Sequence, residues 1–266
     1  MRAYLVALVA IVARELLRFV AQRGRFLSAL VRPLIWLLVF AAGFRSALGL
    51  SIIPPYATYI PYEVYIVPGL CGMIQLFNGM QSSLSLVYDR EMGSMRLLLT
   101  SPLPRWWLLF SKLLAGAVVS ILQVYAFLGV AALFGIDLPL WGYLSALPVL
   151  LLTGLMLGAL GLALSSGIRQ LENFAGVMNF VIFPAFFLSS ALYPLWKMQE
   201  SSQLLYRLCT LNPFTHAVEA IRFALYGQAN LAALGWTIAA LAVFVALALL
   251  GYTPMRQPSR GLSRRR

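Results

Sequence analysis

Long apolar runs without a single charge dominate this chain. Five of them, residues 64–88, 113–136, 138–168, 173–196 and 231–252, are long enough to cross a bilayer, which takes about 20 residues as a helix. The composition agrees, with 61% hydrophobic and 11% charged residues and a mean hydropathy of +0.86. Soluble domains are roughly half apolar and a quarter charged. We therefore expect an all-α membrane protein with no large soluble domain.

A sixth crossing is predicted over residues 26–44, although this segment contains Arg32. We expect the guanidinium to reach the inner interface, since an arginine at the centre of a span costs about 3 kcal/mol on insertion scales. Before this segment, polar residues recur at helical spacing along one side: Arg14, Arg18, Gln22 and Arg25. This pattern predicts an interfacial amphipathic helix over residues 1–25 rather than a signal peptide, because a clean small-residue cleavage pattern is lacking.

The predicted fold class is a polytopic all-α protein: the interfacial helix, six spans, and short re-entrant helices between the fifth and sixth spans. The spans are placed at 26–45, 64–88, 107–136, 142–166, 173–195 and 231–252, in a transmembrane domain of residues 1–255 followed by a basic tail, 256–266. With both termini inside, only Arg45, Lys197, Arg207 and Arg222 among the basic residues fall outside. The positive-inside rule therefore predicts cytoplasmic termini in a cell inner membrane.

Ionisable groups are missing from the middle of the predicted spans. Acidic residues lie at span ends or in connections, His216 is the single histidine, and the chain has no G-x-x-x-x-G-K-[ST] phosphate loop. Ion-coupled carriers and intramembrane hydrolases need such groups at mid-bilayer, and metal centres need several ligands. We therefore predict no cofactor in this chain and expect a partner ATPase to supply the energy. The dispersed basic residues argue against nucleic-acid binding.

The connection between the second and third predicted spans has the features of a docking element. Its first part is charged and able to form a short helix, with Met95 among its apolar side chains. Pro102 and Pro104 stop that helix before the next span. The alternative is an ordinary loop in which Arg90 and Arg105 only enforce topology.

Two motifs stand at this connection and after the fifth span. The first has an acidic-x-Gly element, a Leu-rich turn and a Thr-x-Pro-x-x-Arg element, formed here by Glu91, Gly93, 97–99, Thr100, Pro102 and Arg105. The second covers residues 189–195 and 212–222. With these motifs the sequence resembles the permease family of type-2 ABC exporters over almost its whole length. One departure is Ser111-Lys112, where the family often has Gly-Lys.

The resemblance implies a dimer of permeases, most simply a homodimer, with a pair of ABC ATPase subunits beneath that bind ATP and Mg²⁺. It also implies that residues 88–105 form a coupling helix in a cleft of the ATPase. The residues carried over to that role are Glu91, Gly93, Met95, Thr100, Pro102 and Arg105. The alternatives are a helix terminator for Gly93 and an interface anchor for Arg105.

The segment of residues 196–229 is too polar for one span but carries apolar pieces, so short helices that dip back into the membrane would fit. Asn212 followed by Pro213 predicts a helix N-cap, and Glu219 can pair with Arg222 one turn on. The resemblance implies an external gate here, with Asn212, Pro213, His216, Glu219 and Arg222 as candidates. The simpler interpretation, which we favour for His216 and the ion pair, is satisfaction of polar groups at the interface.

Two strips of side chains are candidates for the transport path. Gln75, Asn78 and Ser82 form a polar strip along the second span, while Phe180, Phe183 and Phe187 form an aromatic strip along the fifth. Polar residues in spans more often bond between helices, and phenylalanines usually pack against helices or lipid. The resemblance favours the path, because the family places its first, second and fifth spans around it.

Three function classes remain open at this level. The leading hypothesis is the permease subunit of an ATP-driven exporter; the alternatives are an energy-independent channel or scaffold, and an intramembrane enzyme. The substrate, whether drug, glycan, lipid or metabolite, is not specified by these motifs.

Overall fold

The computed structural model describes residues 2–21, 23–44, 54–56, 60–91, 104–168 and 170–251. Ten α-helices account for nearly all of this described part. They are α1 (Arg2–Ala21), α2 (Arg23–Phe44), α3 (Tyr62–Glu91), α4 (Arg105–Leu133), α5 (Leu140–Gly167), α6 (Leu171–Phe187), α7 (Leu195–Ser201), α8 (Gln203–Leu211), α9 (Pro213–Leu225) and α10 (Leu231–Gly251). The predicted all-α class is confirmed for these residues.

Helices α3 and α5 form the centre of the bundle. Helix α3 also packs against α2, α4, α6 and α9, while α5 packs against α4, α9 and α10. The two central helices approach closely because glycines face each other: a Cβ added at Gly79 would lie 2.8 Å from the carbonyl oxygen of Leu157. A Cβ at Gly161 would lie 2.8 Å from the carbonyl oxygen of Gly79. Small residues at such crossings allow the backbones to pack together.

Three of the described helices are long and apolar enough to cross a membrane: Trp106–Leu133, Leu140–Gly167 and Leu231–Gly251. Helix α3 is longer, with 30 residues, but its polar side chains lower its hydropathy. Among the described side chains of α2 the apolar stretch is Leu30–Phe40, and α6 has 17 residues. The crossing of the membrane by α2, α3 and α6 therefore stays a prediction.

The fifth predicted span ends earlier than expected. The sequence predicts this span over 173–195, whereas α6 ends at Phe187 and the chain then turns through residues 188–194. Pro184 lies three residues before the end of α6. The turn is held by α3, since the Tyr62 and Tyr65 hydroxyls donate to the carbonyl oxygens of Leu192 and Ser190, each at 2.9 Å. Apolarity alone does not reveal such tertiary bonds.

Three short helices, α7 to α9, fill most of the predicted external segment. Helix α9 packs against α3, α5 and α10, and most of its residues are buried. Its N-cap is confirmed: the Asn212 side chain accepts the Phe214 N–H at 3.0 Å, and Pro213 is the first helical residue. The amide of Asn212 also donates to the carbonyl oxygens of Ala185 and Leu188, at 2.8 and 2.6 Å. The cap therefore ties α9 to the end of α6.

Candidate functional site

The polar strip of α3 faces its neighbouring helices over part of its length. Gln75 is 1% exposed, its amide donates to the carbonyl oxygen of Leu150 at 2.6 Å, and it accepts the Thr153 hydroxyl at 2.7 Å. Asn78 is 7% exposed and bonds the Gln123 side chain. These two strip residues join α3 to α4 and α5. Sequence reasoning did not single out Thr153 and Gln123, because a buried partner on another helix carries no local signal.

Ser82, the third residue of that strip, has a different environment. It lines a cavity of about 160 Å³ between α1, α3 and α4. Gln81 and Ser85 stand in the same wall, and Arg18 and Glu15 of α1 form the opposite side. The strip thus divides into a part that bonds between helices and a part that faces an open cavity.

The aromatic strip of α6 lies on an uncovered face of the bundle. Phe180 is 79% exposed, and Phe183 and Phe187 are each 41% exposed. Between them, Phe186 is buried and packs against Phe214 of α9, with ring centroids 6.2 Å apart. Trp36 of α2 contacts both Phe186 and Phe187, at 6.1 and 6.0 Å between centroids. The strip and α2 therefore border the same apolar surface.

Arg222 is the centre of a buried polar cluster where α9 meets α3. Its guanidinium pairs with Glu219 at 2.5 Å, which confirms the predicted ion pair, and donates to the carbonyl oxygen of Ser190 at 2.8 Å. It also lies 4.0 Å from the ring centroid of Tyr65, a cation–π contact. The cluster joins α9, α3 and the turn after α6.

Arg222 keeps its positive charge despite its burial. Burial acts to lower the pKa of Arg222, but the attraction of the Glu219 carboxylate raises it, and the pKa lies above its ordinary value. Burial raises the pKa of Tyr56 to about 12, so this phenol stays neutral at physiological pH. The cluster is thus a fixed ion pair among neutral phenols.

His216 lies on the other side of α9. Its ring stacks on Trp236 of α10, with centroids 5.1 Å apart, and its Nε2 is 2.9 Å from the carbonyl oxygen of Thr210. The histidine therefore has protein partners for its ring face and for one ring nitrogen. This arrangement agrees with a role in packing α8 and α10 against α9.

Glu91 makes an unexpected contact at the last residue of α3. Its carboxylate Oε2 accepts the backbone N–H of Leu171 at 3.0 Å. Leu171 is the first residue of α6, so Glu91 satisfies one of the free N–H groups at that helix start. The motif residues Gly93, Met95, Thr100 and Pro102 lie outside the described residues, and Arg105 is the first residue of α4. The two ends of the connection are therefore described and its middle is not.

Long apolar helices packed around a buried polar cluster define this chain as a helical integral membrane protein. The sequence profile described as ABC-2 type transporter matches residues 6–226. The chain belongs to this family, as the resemblance of its motifs indicated.

Individual relatives agree with the family. The chain is 30% identical over 218 residues to a protein of Porphyra purpurea described as a transport permease, ycf38, covering 80% of this chain and 72% of the relative. It is 30% identical over 164 residues to YbhR of Escherichia coli K12, described as a multidrug ABC transporter permease, covering 60% and 43%. Nodulation protein J of Rhizobium leguminosarum bv. viciae is 23% identical over 219 residues, covering 78% and 77%. The chain is thus a membrane transport subunit of the permease type.

Proposed function

We propose that this chain is the permease subunit of an ATP-driven exporter, coupled to a separate pair of ABC ATPase subunits. ATP and Mg²⁺ would be bound by the partner, and this chain would form the path. The observation that carries the proposal is the contact between Glu91 and Leu171. It links the start of the family's coupling motif to α6, the helix that bears the aromatic strip.

The contact suggests how a movement of the ATPase could be transmitted to α6. A carboxylate at a helix N-terminus interacts favourably with free N–H groups and with the helix dipole, by about 1 kcal/mol. If an ATPase displaces residues 88–105, the end of α3 and the start of α6 would move together. Glu91, Gly93, Met95, Thr100, Pro102 and Arg105 are the residues we assign to this coupling segment.

The same proposal includes six membrane crossings by α2, α3, α4, α5, α6 and α10, with both termini in the cytoplasm of a cell with an inner membrane. Helix α1 would lie along the cytoplasmic interface. In support, Leu5, Val6 and Val9 are exposed on α1, and the indole of Trp107 on α4 donates to the carbonyl oxygen of Tyr4 at 3.1 Å. An amphipathic helix held beside a span in this way suits a membrane surface.

A second permease copy would cover the apolar surface that α2 and α6 border. Ile35, Leu38 and Phe180 are exposed there. In such a dimer the aromatic strip, Phe180, Phe183 and Phe187, would face the path. Ser82 remains a path candidate beside the cavity, whereas Gln75 and Asn78 would hold together the helices that form the walls of the path.

Helices α7 to α9 would close the external side as re-entrant helices, with Asn212, Pro213, His216, Glu219 and Arg222 holding them together.

The test is co-expression with the product of an adjacent ATPase gene, comparing the wild-type chain with Glu91→Ala. We expect the ATPase to co-purify with both, and ATP-dependent transport to fall about fivefold in the variant, because about 1 kcal/mol of helix capping is lost. Glu172→Ala is the matched control, since Glu172 is exposed in the first turn of the same helix. If no ATPase binds in any pairing, the channel or scaffold hypothesis replaces this one.

A further inference from the structure

Two residues of the connection between α2 and α3 lie against the end of α9. Tyr56 is 5% exposed, and its ring meets the ring of Tyr226, the residue after α9, edge to face with centroids 4.9 Å apart. The side-chain amide of Gln228 donates to the carbonyl oxygen of Pro55 at 3.4 Å. We call Pro55 and Tyr56 the strap.

The strap also borders the Arg222 cluster. Burial raises the pKa of Tyr56 to about 12, and the nearby Arg222 guanidinium acts against this rise. Tyr65 of α3 packs on the same guanidinium, whose Cζ lies 4.0 Å from its ring centroid. The strap, α9 and α3 therefore meet at one arginine.

Beside this arginine, α9 packs directly on α3. A Cβ added at Gly72 of α3 would lie 3.1 Å from Val218 Cγ2 and 3.2 Å from ring atoms of Phe214. Thr215 lies two turns from Arg222 on the same face of α9 and is 1% exposed. The hydroxyl of Thr215 has no hydrogen-bond partner among the described residues. Apolar packing therefore holds this part of α9 to α3.

The strap contact contains two unpaired polar groups. The Tyr56 hydroxyl and the Arg222 Nε are buried, and neither has a hydrogen-bond partner of normal geometry within the described ranges. Leaving such groups unpaired costs free energy of the same order as an aromatic pair contributes. Water would reach both groups if the strap moved away. Release therefore exchanges the ring contact for new hydrogen bonds, and the bound and released strap differ little in free energy.

We propose that the strap is a latch: bound to Tyr226 and Arg222 it holds α9 on α3, and its release lets α9 lift and admits water to this face. Tyr56 is the positioning residue of the latch, because its side chain borders both α9 and the residue that follows it. The connection that carries the latch runs from α2 to α3, so it links α2 to the segment proposed as external gate. In that last respect the inference rests on the proposed function.

The experiment measures how fast a buried cysteine of α9 reacts with a small maleimide, in the purified full-length chain in lipid nanodiscs without ATPase or ATP. The reporter is Thr215→Cys, because the two side chains are similar in size and the replaced hydroxyl has no hydrogen-bond partner among the described residues. We expect Tyr56→Ala to raise the labelling rate of the reporter at least about tenfold, since labelling follows the population of the open form.

Two further variants define what the latch needs. Tyr56→Phe keeps the ring on Tyr226 and should leave the reporter as slow as in the chain that carries Thr215→Cys alone. Phe134→Ala, at an exposed aromatic residue after α4, should change nothing. A reporter that stays slow in Tyr56→Ala overturns the proposal.

A second route to the same contact keeps the test decisive if Tyr56→Ala folds poorly. Tyr226→Leu removes the other ring and should raise the labelling rate by a similar factor. Combining it with Tyr56→Ala should give no further rise, because both changes remove one contact. Rates that multiply in the double variant overturn the latch.

Cys71 shows whether a variant only loosens the whole bundle. This cysteine of α3 is fully buried, and peptide mass spectrometry reads its labelling separately from that of the reporter. We expect Cys71 to stay unlabelled while the reporter reacts. Labelling of Cys71 in step with the reporter, in both Tyr56→Ala and Tyr226→Leu, overturns the proposal.

This experiment separates the two proposals. If an ATPase co-purifies with the chain but the reporter does not respond to Tyr56, the latch is wrong and the exporter stands. If the reporter responds to Tyr56 and no ATPase co-purifies in any pairing, the latch stands as a clamp on α9 and the exporter is wrong.

Discussion

At the scale of single residues, buried charges decide most of what is unusual in this protein. The side chain of Arg222 is 4% exposed and that of Glu219 19%. Burying two charges is unfavourable, and their attraction compensates only when further partners are present. Arg222 has those partners in the Ser190 carbonyl oxygen and the Tyr65 ring. Arg32 also lies over an aromatic ring, that of Phe77, but it is exposed, so its charge does not carry the same cost of burial.

The ion pair can be tested by removing its partners one at a time. Glu219→Gln leaves Arg222 buried without a counter-charge and should lower stability by about 3 kcal/mol. Adding Arg222→Met to this variant should restore part of the loss, because no charge is then left unpaired. Melting temperatures of the purified chains in detergent measure both effects, and Arg207→Met is the exposed control. A double variant less stable than Glu219→Gln would contradict this account.

At the scale of helices, close backbone contact at glycines sets the position of α3 against α5. A Cβ on Gly79 would meet the Leu157 carbonyl oxygen at 2.8 Å and the Gly158 Cα at 2.9 Å. Neither is the end of a flexible side chain, so the helices would have to separate. The Gln75–Thr153 hydrogen bond lies one turn away and depends on the same spacing. Packing and polar bonding therefore reinforce each other at this crossing.

Alanine substitutions distinguish this contact from helix propensity. Gly79→Ala should lower the free energy of unfolding by about 1–3 kcal/mol, as overpacking does elsewhere. Gly129→Ala, on the exposed side of α4, has nothing within 4 Å of the added Cβ and should raise it by about 0.5–1 kcal/mol. Thermal unfolding in detergent measures both. Equal effects of the two substitutions would show that the α3–α5 contact is looser than the structure indicates.

At the scale of the whole molecule, α3 connects the two ends of the bundle. One end holds the Arg222 cluster through Tyr65, and the other places Glu91 at the start of α6. Thirty helical residues rise about 45 Å, more than the apolar thickness of a bilayer. A single helix thus reaches from the segment proposed as external gate to the segment proposed for coupling.

The membrane orientation can be tested by cysteine labelling. Gln199→Cys on α7 should react with a membrane-impermeant maleimide added to intact cells, whereas Gln170→Cys, just before α6, should react only after the membrane is opened. Both positions are exposed, and the native cysteines Cys71 and Cys209 are buried and should remain unlabelled. Labelling of Gln170→Cys in intact cells would contradict the proposed topology.

Local features of this protein could be predicted from the sequence alone. Helical class follows from the length of the apolar runs, because a backbone in lipid must satisfy its own hydrogen bonds. The Asn212 cap and the Glu219–Arg222 pair were also predicted, since the partners lie within one turn of helix. The family motif around Glu91 is likewise short and contiguous. For such features the interacting groups are close in sequence, so the chain itself specifies the geometry.

Tertiary structure decided the features whose partners lie far apart in the chain. It paired Gln75 with Thr153 rather than leaving it to face a path, ended α6 at Phe187 through bonds from α3, and joined Glu91 to Leu171. It also set Arg32 of α2 over the ring of Phe77 of α3. Each outcome depends on which faces of two helices meet, and a helix's own pattern of polar and apolar residues does not specify its neighbour. The sequence therefore determined the elements and their local bonds, and the packing of the bundle decided which side chains are exposed to a ligand.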